Sequence, residues 1–123
     1  MFGTTKAFSG FAVRDVDTAK KFYSDVLGLT VEEIPPGFRL HIAGGNPILV
    51  YGKPDHEPAN FTILNFPVDD IEAAVGALTE RGVTMLRYEG FGQDAKGIAR
   101  AGGPPIAWFT DPAGNIISVL QEQ

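Results

Sequence analysis

The chain repeats itself: Phe11-Ala12-Val13-Arg14-Asp15-Val16 leads to Leu27-Gly28-Leu29, and Phe66-Pro67-Val68-Asp69-Asp70-Ile71 leads to Arg81-Gly82-Val83. Each copy reads as a strand, an acidic turn, an amphipathic helix and a glycine stop. The copies lie about half a chain apart in 123 residues. A module of that size cannot bury its own hydrophobic surface, so the two are expected to share one core. The expectation is a single domain over residues 1–123, with module one at about 6–52, a linker at 53–60 and module two at about 61–121.

Asp15 can cap a helix beginning at Val16, since a short acceptor side chain satisfies free N–H groups of the first turn. Val16, Ala19, Phe22, Tyr23, Val26 and Leu27 then recur at spacings of three and four and draw one apolar stripe, which Gly28 ends. In the second copy Ile71, Ala74, Val75 and Leu78 make the stripe, Asp69 or Asp70 the cap and Gly82 the stop. Strands are expected at 29–34, 37–43 and 47–52, then at 60–68, 83–89, 105–110 and 115–121, with 98–103 as a further candidate. Gly44-Gly45-Asn46-Pro47 and Asp111-Pro112-Ala113-Gly114-Asn115 are reversal signals placed before the last strand of each module. The plan is βαβββ, twice, in an α+β fold. Gly90-Phe91-Gly92-Gln93-Asp94-Ala95-Lys96-Gly97 reads as a long loop, with glycines that would let it move over a site.

Several function classes drop out. A net charge of −5 with scattered Lys and Arg gives no stripe for a phosphate backbone, so nucleic acid is not expected as a partner. No apolar run is long enough to span a bilayer and no secretion signal opens the chain, so a cytoplasmic protein without a membrane partner is expected. The absence of cysteine removes disulfides, thiolate metal sites and a Cys nucleophile, leaving His41 and His56 as the nitrogen ligands or histidine acid-base groups. No P-loop, dinucleotide fingerprint or Gly-x-Ser-x-Gly elbow is present.

Asp15-x-x-x-Ala19-x-x-Phe22-Tyr23-x-x-x-Leu27-Gly28-Leu29, with Asp111-Pro112-Ala113-Gly114-Asn115 before the final strand, resembles the vicinal oxygen chelate superfamily over about residues 6–121. Glyoxalase I, extradiol dioxygenases and bleomycin or fosfomycin resistance proteins belong to that group. The resemblance implies paired βαβββ modules whose curved sheets enclose a cleft, often in a homodimer, and commonly a divalent metal held by His and Glu. In metal-binding relatives one ligand lies on a module's first strand, seven residues before the acidic residue that opens the helix. Those positions are Phe8 and Ile63. Another is the Glu three residues after the Asn of the final turn, which corresponds to Ser118, with Leu49 as its counterpart in module one. Phe, Ile and Leu cannot ligate, and a lone hydroxyl cannot hold Zn²⁺, Ni²⁺ or Fe²⁺. No metal and no cofactor are therefore expected.

Strand periodicity places the remaining candidates. Ser9, Phe11 and Val13 would cover the first helix, leaving Phe8, Gly10 and Ala12 toward the cleft. Leu64, Phe66 and Val68 would cover the second, leaving Ile63, Asn65 and Pro67, joined by Ile116, Ser118 and Leu120. If Leu40 and Ile42 face the helix, then Arg39 and His41 face the cleft. Trp108 could stack on a flat ligand there, or simply supply core area. Tyr51 and Asn65 could each donate a hydrogen bond. His56, between Asp55 and Glu57, reads as a solvated surface histidine, Arg100 as surface charge, and Glu32-Glu33 as a strand end. Phe8, Arg39, His41, Tyr51, Ile63, Asn65, Trp108 and Ser118 thus form the candidate ligand-binding set.

Three functions remain open. The chain binds a small apolar or aromatic molecule without a metal. Alternatively it is an enzyme of the same superfamily, a lyase, isomerase or dioxygenase type, with a relocated site using His41 as base. Or it is a structural or regulatory dimer with no ligand.

Overall fold

The computed structural model describes residues 1–122, and the chain divides into two compact units that meet between Glu57 and Pro58. In the first unit, β1 (Gly10–Val13) leads into α1 (Val16–Lys21), which continues as a π-helical turn over Phe22–Val26, followed by β2 (Thr30–Ile34), β3 (Gly37–His41) and β4 (Ile48–Gly52). Asp15 Oδ1 accepts from the Thr18 N–H at 3.1 Å, so the expected cap starts the helix. Gly28, at φ 70°, follows its end. The last turn departs from the α-helix expected through Leu27: the Leu27 N–H bonds to the Phe22 carbonyl, five residues back, at 3.1 Å. The widened turn accompanies an aromatic cluster, in which buried Tyr23 meets Phe22 edge-on at 5.3 Å and tilts against Phe11 at 5.8 Å and Phe38 at 6.4 Å.

The first sheet runs β1-β4-β3-β2, with β1 parallel to β4 and the other pairs antiparallel. Its register sets half-buried Phe11 beside Val50 and Val50 beside Phe38, and Val50 and Phe38 with Val13, Leu40, Ala19 and Tyr23 form the unit's buried core. Each such fully buried large side chain contributes roughly 1.5–3 kcal/mol against leaving it in water.

In the second unit, β5 (Thr62–Val68) leads into α2 (Ile71–Glu80), and β6 (Ile106–Thr110) and β7 (Ile116–Gln121) complete a sheet of order β5-β7-β6. The cap is Asp70, whose Oδ1 accepts from the Ala73 N–H at 3.1 Å, and Gly82 follows the helix at φ 87°. Ile71, Val75 and Leu78 are buried on α2, as are Ala107, Phe109, Ile117 and Val119 on the sheet face that α2 covers. That face alternates with the open one, as a period of two requires.

The fold is α+β with two small sheets of βαβββ character, yet the expected strand at 83–89 does not form and 98–103 contributes only a bridge between Ala99 and Ile106. Leu86 N–H does reach the Trp108 carbonyl at 2.7 Å. The ladder stops there because Gln93 takes its next groups: its Nε2 donates to the Leu86 carbonyl at 2.8 Å and its Oε1 accepts from the Tyr88 N–H at 2.7 Å. His56 also departs from expectation. It is buried, because its backbone N–H closes a turn onto the Lys53 carbonyl at 2.9 Å that folds the chain back at this point.

Candidate functional site

On the open face of the second sheet, register aligns Asn65 with Ser118 and Ser118 with Trp108, one residue from each strand. The Ser118 hydroxyl donates to Asn65 Oδ1 at 2.6 Å, and the Asn65 amide NH₂ has no partner among the described residues. Trp108 belongs to an aromatic wall that the sequence reading missed. Tyr88 meets it edge-on at 5.2 Å, Phe91 lies tilted at 5.3 Å, and Tyr88 and Phe91 are 5.6 Å apart. Beside this wall, between the turn at Gly90-Phe91 and the turn at 99–104, lies a pocket of about 360 Å³ with Ile106 and Trp108 as its floor and Ala99, Gly102 and Pro104 along one side. Its walls are small or flat, and Phe91 remains 48% exposed, so an apolar planar body can enter without displacing a charged group.

The Gly90–Gly97 loop is tied down rather than free to swing. Arg87 donates to the Asp94 and Ala95 carbonyls at 2.5 and 2.6 Å, and Gln93 Nε2 also reaches the Gly97 carbonyl at 2.7 Å. Asp94 Oδ1 accepts from the Ile98 and Lys96 N–H groups at 3.0 and 2.9 Å. Glu72 on α2 holds Lys96 at 2.8 Å and Arg100 at 2.7 Å, so Arg100 is an anchor of this segment. The Ile98 N–H first, then the Lys96 N–H and the charges of Arg100 and Arg87, hold the Asp94 carboxyl below its ordinary value of 3.8. A depressed carboxylate stabilises the fold at pH above its unfolded value, and that contribution disappears as pH falls through the lower folded value. The amide shifts of Lys96 and Ile98 are therefore expected to stay constant from neutrality down through the usual aspartate range and to move only in more acid solution. Movement at or above the usual range would contradict the assigned contacts.

The first sheet presents a different chemistry. Register pairs Glu32 with Arg39 and Thr30 with His41, and Arg39 with Leu49. Glu32 Oε1 lies 2.9 Å from His41 Nε2, and Glu32 Oε2 lies 3.5 Å from Arg39 Nη1. Held on one nitrogen by a carboxylate, an imidazole can present the other as a proton acceptor. Glu32, read from sequence as a strand end, is thus the partner of both candidates. The signal was available: the Pro35-Pro36 turn fixes a hairpin register that sets residue 32 opposite 39. Tyr51 is on β4, opposite Ala12 of β1, and is 42% exposed.

The positions that would hold a metal carry no ligating set. Phe8 precedes β1 and is 66% exposed, Leu49 is on β4, and Ile63 sits in the irregularity between Thr62 and Leu64. Ser118 spends its hydroxyl proton on Asn65. Three of these side chains have no lone pair to offer, so the set does not fit a divalent ion. Among the described residues no three His, Asp or Glu side chains come together in a metal-holding group. No helix among them is long and apolar enough to cross a membrane.

Comparisons bear on this scaffold. A family model described as Glyoxalase/Bleomycin resistance protein/Dioxygenase superfamily matches residues 7–119. The fold is similar to TnmS3, an antibiotic binding protein from a Streptomyces species, with a TM-score of 0.70, 23% identity and 98% of each chain covered. A member of the same superfamily from Sphaerobacter thermophilus gives 0.71 at 20% identity, covering 96% of this chain and 98% of that one. A virulence protein from Salmonella typhimurium gives 0.71 at 19% identity with both chains fully covered. No curated protein matches the sequence.

Proposed function

Since the chain belongs to the Glyoxalase/Bleomycin resistance protein/Dioxygenase superfamily, we propose that it binds a small apolar or aromatic molecule without a metal. The observation that carries this reading is the apolar pocket beside Trp108, walled by Phe91 and floored by Ile106 and Trp108 of β6. A planar guest would stack against Phe91 and Trp108, where offset or edge contacts contribute about 0.5–1.5 kcal/mol per pair beyond the burial of area. The unpartnered Asn65 NH₂ lies two strands from Trp108 on the same register row, about 9–10 Å away, and would anchor a guest long enough to reach across β7. Binding of this kind needs shape and one or two donors, not charge stabilisation of a reacting group. That TnmS3, with this fold, is an antibiotic binding protein supports the reading without identifying a ligand.

Trp108 is the single tryptophan, which makes the test direct. N-phenyl-1-naphthylamine, a neutral aromatic fluorophore, is expected to bind one to one and to quench Trp108 emission on titration. Trp108→Ala, read through the probe's own fluorescence, is expected to weaken binding about ten-fold, the equivalent of roughly 1.4 kcal/mol. Non-saturable uptake, or an unchanged dissociation constant in a Trp108→Ala protein whose circular dichroism is native, would sink the proposal.

A further inference from the structure

The open face of the first sheet carries a cluster that the aromatic pocket does not use, and its chemistry points to a different ligand group. One row of the register crosses all four strands, from Glu32 through Arg39 and Leu49 to Gly10. The row is charged on β2 and β3, apolar on β4 at Leu49 and bare on β1, where Gly10 has no side chain.

Arg39 is only loosely held on this face. Its guanidinium is 49% exposed, and its one ion-pair distance, 3.5 Å from Nη1 to Glu32 Oε2, is too long for an N–H···O hydrogen bond. An exposed contact of that length holds the side chain weakly. Glu32 makes its close contact to His41 instead, at 2.9 Å. The five N–H donors of the Arg39 fork are therefore unspent by any hydrogen bond among the described residues. A planar fork with two parallel donors matches a carboxylate, and this match distinguishes arginine from lysine.

We infer that Arg39 receives the carboxylate of a small apolar acid on the open face of the first sheet, with Leu49 beneath the acid's body and His41 beside its head. The ring of Tyr51, two residues along β4 from Leu49 and exposed on that face, supplies a flank. Glu32 tunes the site. Its carboxylate, with one oxygen 2.9 Å from His41 Nε2 and the other 3.5 Å from Arg39 Nη1, competes with the incoming anion for the fork. The chain's net charge of −5 selects against polyanions, and a single carboxylate avoids most of that repulsion. The inference is independent of the aromatic pocket and stands or falls without it.

The test compares 1-naphthoate with the neutral 1-naphthalenemethanol near neutral pH, reading the imidazole signals of His41 and the indole N–H of Trp108 by NMR. His41 and His56 are the only histidines and His56 is buried, so the first reporter is clean. The expected result is that naphthoate moves His41 and binds about ten-fold more tightly than the alcohol. Arg39→Met should erase that preference, and Arg39→Lys should restore only part of it, because the charge returns without the fork. Glu32→Gln, which removes the competing charge from an exposed position, should tighten naphthoate severalfold. Equal affinity for the two probes, a preference that survives Arg39→Met, or naphthoate shifts confined to the Trp108 indole would overturn the inference. The last outcome would leave the aromatic pocket standing, whereas failure of that pocket appears as loss of the neutral fluorophore with naphthoate still reporting through His41.

Discussion

Replacing Asp111 with alanine is expected to cost about 3–5 kcal/mol of stability, because three buried amide donors lose their acceptor. Asp111 and Asn115 are both buried, and the carboxylate organises the turn between β6 and β7. Its Oδ1 accepts from the Ala113 and Asn115 N–H groups at 2.9 Å each, and its Oδ2 accepts from the Asn115 side-chain amide at 2.9 Å. Backbone bonds between Asp111 and Asn115 and between Gly114 and Asp111, both 3.0 Å, close the same turn. Alanine would leave three buried donors without these acceptors, at about 1–3 kcal/mol each before water enters the space. Asp111→Asn keeps one acceptor oxygen and should lose roughly half as much. Urea denaturation followed by circular dichroism reads the difference, and a loss below about 1 kcal/mol for Asp111→Ala would show that the network is dispensable. The turn also sets β6 against β7, and hence Trp108 opposite Ser118, so a loosened turn should weaken binding of the fluorescent probe together with stability.

The parts of this fold that were legible from sequence are those decided by local chemistry. Asp15 and Asp70 cap their helices because a short acceptor sits just before an apolar stripe, and Gly28 and Gly82 follow because each backbone enters positive φ. The open face of the second sheet was legible for a related reason. Alternation along β5 and β7 separates Asn65 and Ser118 from Phe66 and Val119, and the register places the first pair in one row. What escaped depends on long side chains acting at a distance. The span 83–89 carries a strand's composition, yet Gln93 captures the Leu86 carbonyl and the Tyr88 N–H and so ends the ladder. The same glutamine, with Arg87 and Asp94, turns a glycine-rich loop into a fastened one and brings Phe91 against Trp108. His56 was misjudged because its polar neighbours in sequence say nothing of the turn that buries it. In the first unit, pairing charges by hairpin register rather than by adjacency would have revealed Glu32 between Arg39 and His41.

Gly37→Ala is expected to be the other severe change, and its cause is room rather than backbone conformation. Gly37 opens β3 directly after the Pro35-Pro36 turn and is not among the glycines at positive φ. A Cβ placed on it would lie 2.1 Å from the Val50 carbonyl oxygen and 3.1 Å from the Tyr51 Cα. Both obstacles are backbone of β4, which cannot swing aside as a side chain would. Val50 is paired with Phe38 on one side and Phe11 on the other, so moving its carbonyl disturbs the central row of the first unit's core. Overpacking of a well-filled core costs typically about 1–3 kcal/mol, and a clash with backbone belongs at the upper end. At roughly 4 °C per kcal/mol for a domain of this size, the melting temperature should fall by roughly 10 °C. A fall under roughly 3 °C would mean that β3 and β4 separate at little cost. Because Arg39 and His41 lie two and four residues beyond Gly37 on the same strand, the strain should also displace the Arg39 fork. Folded Gly37→Ala protein should then lose the preference for naphthoate over the neutral alcohol while its Trp108 pocket, on the other sheet, keeps its affinity for the fluorescent probe.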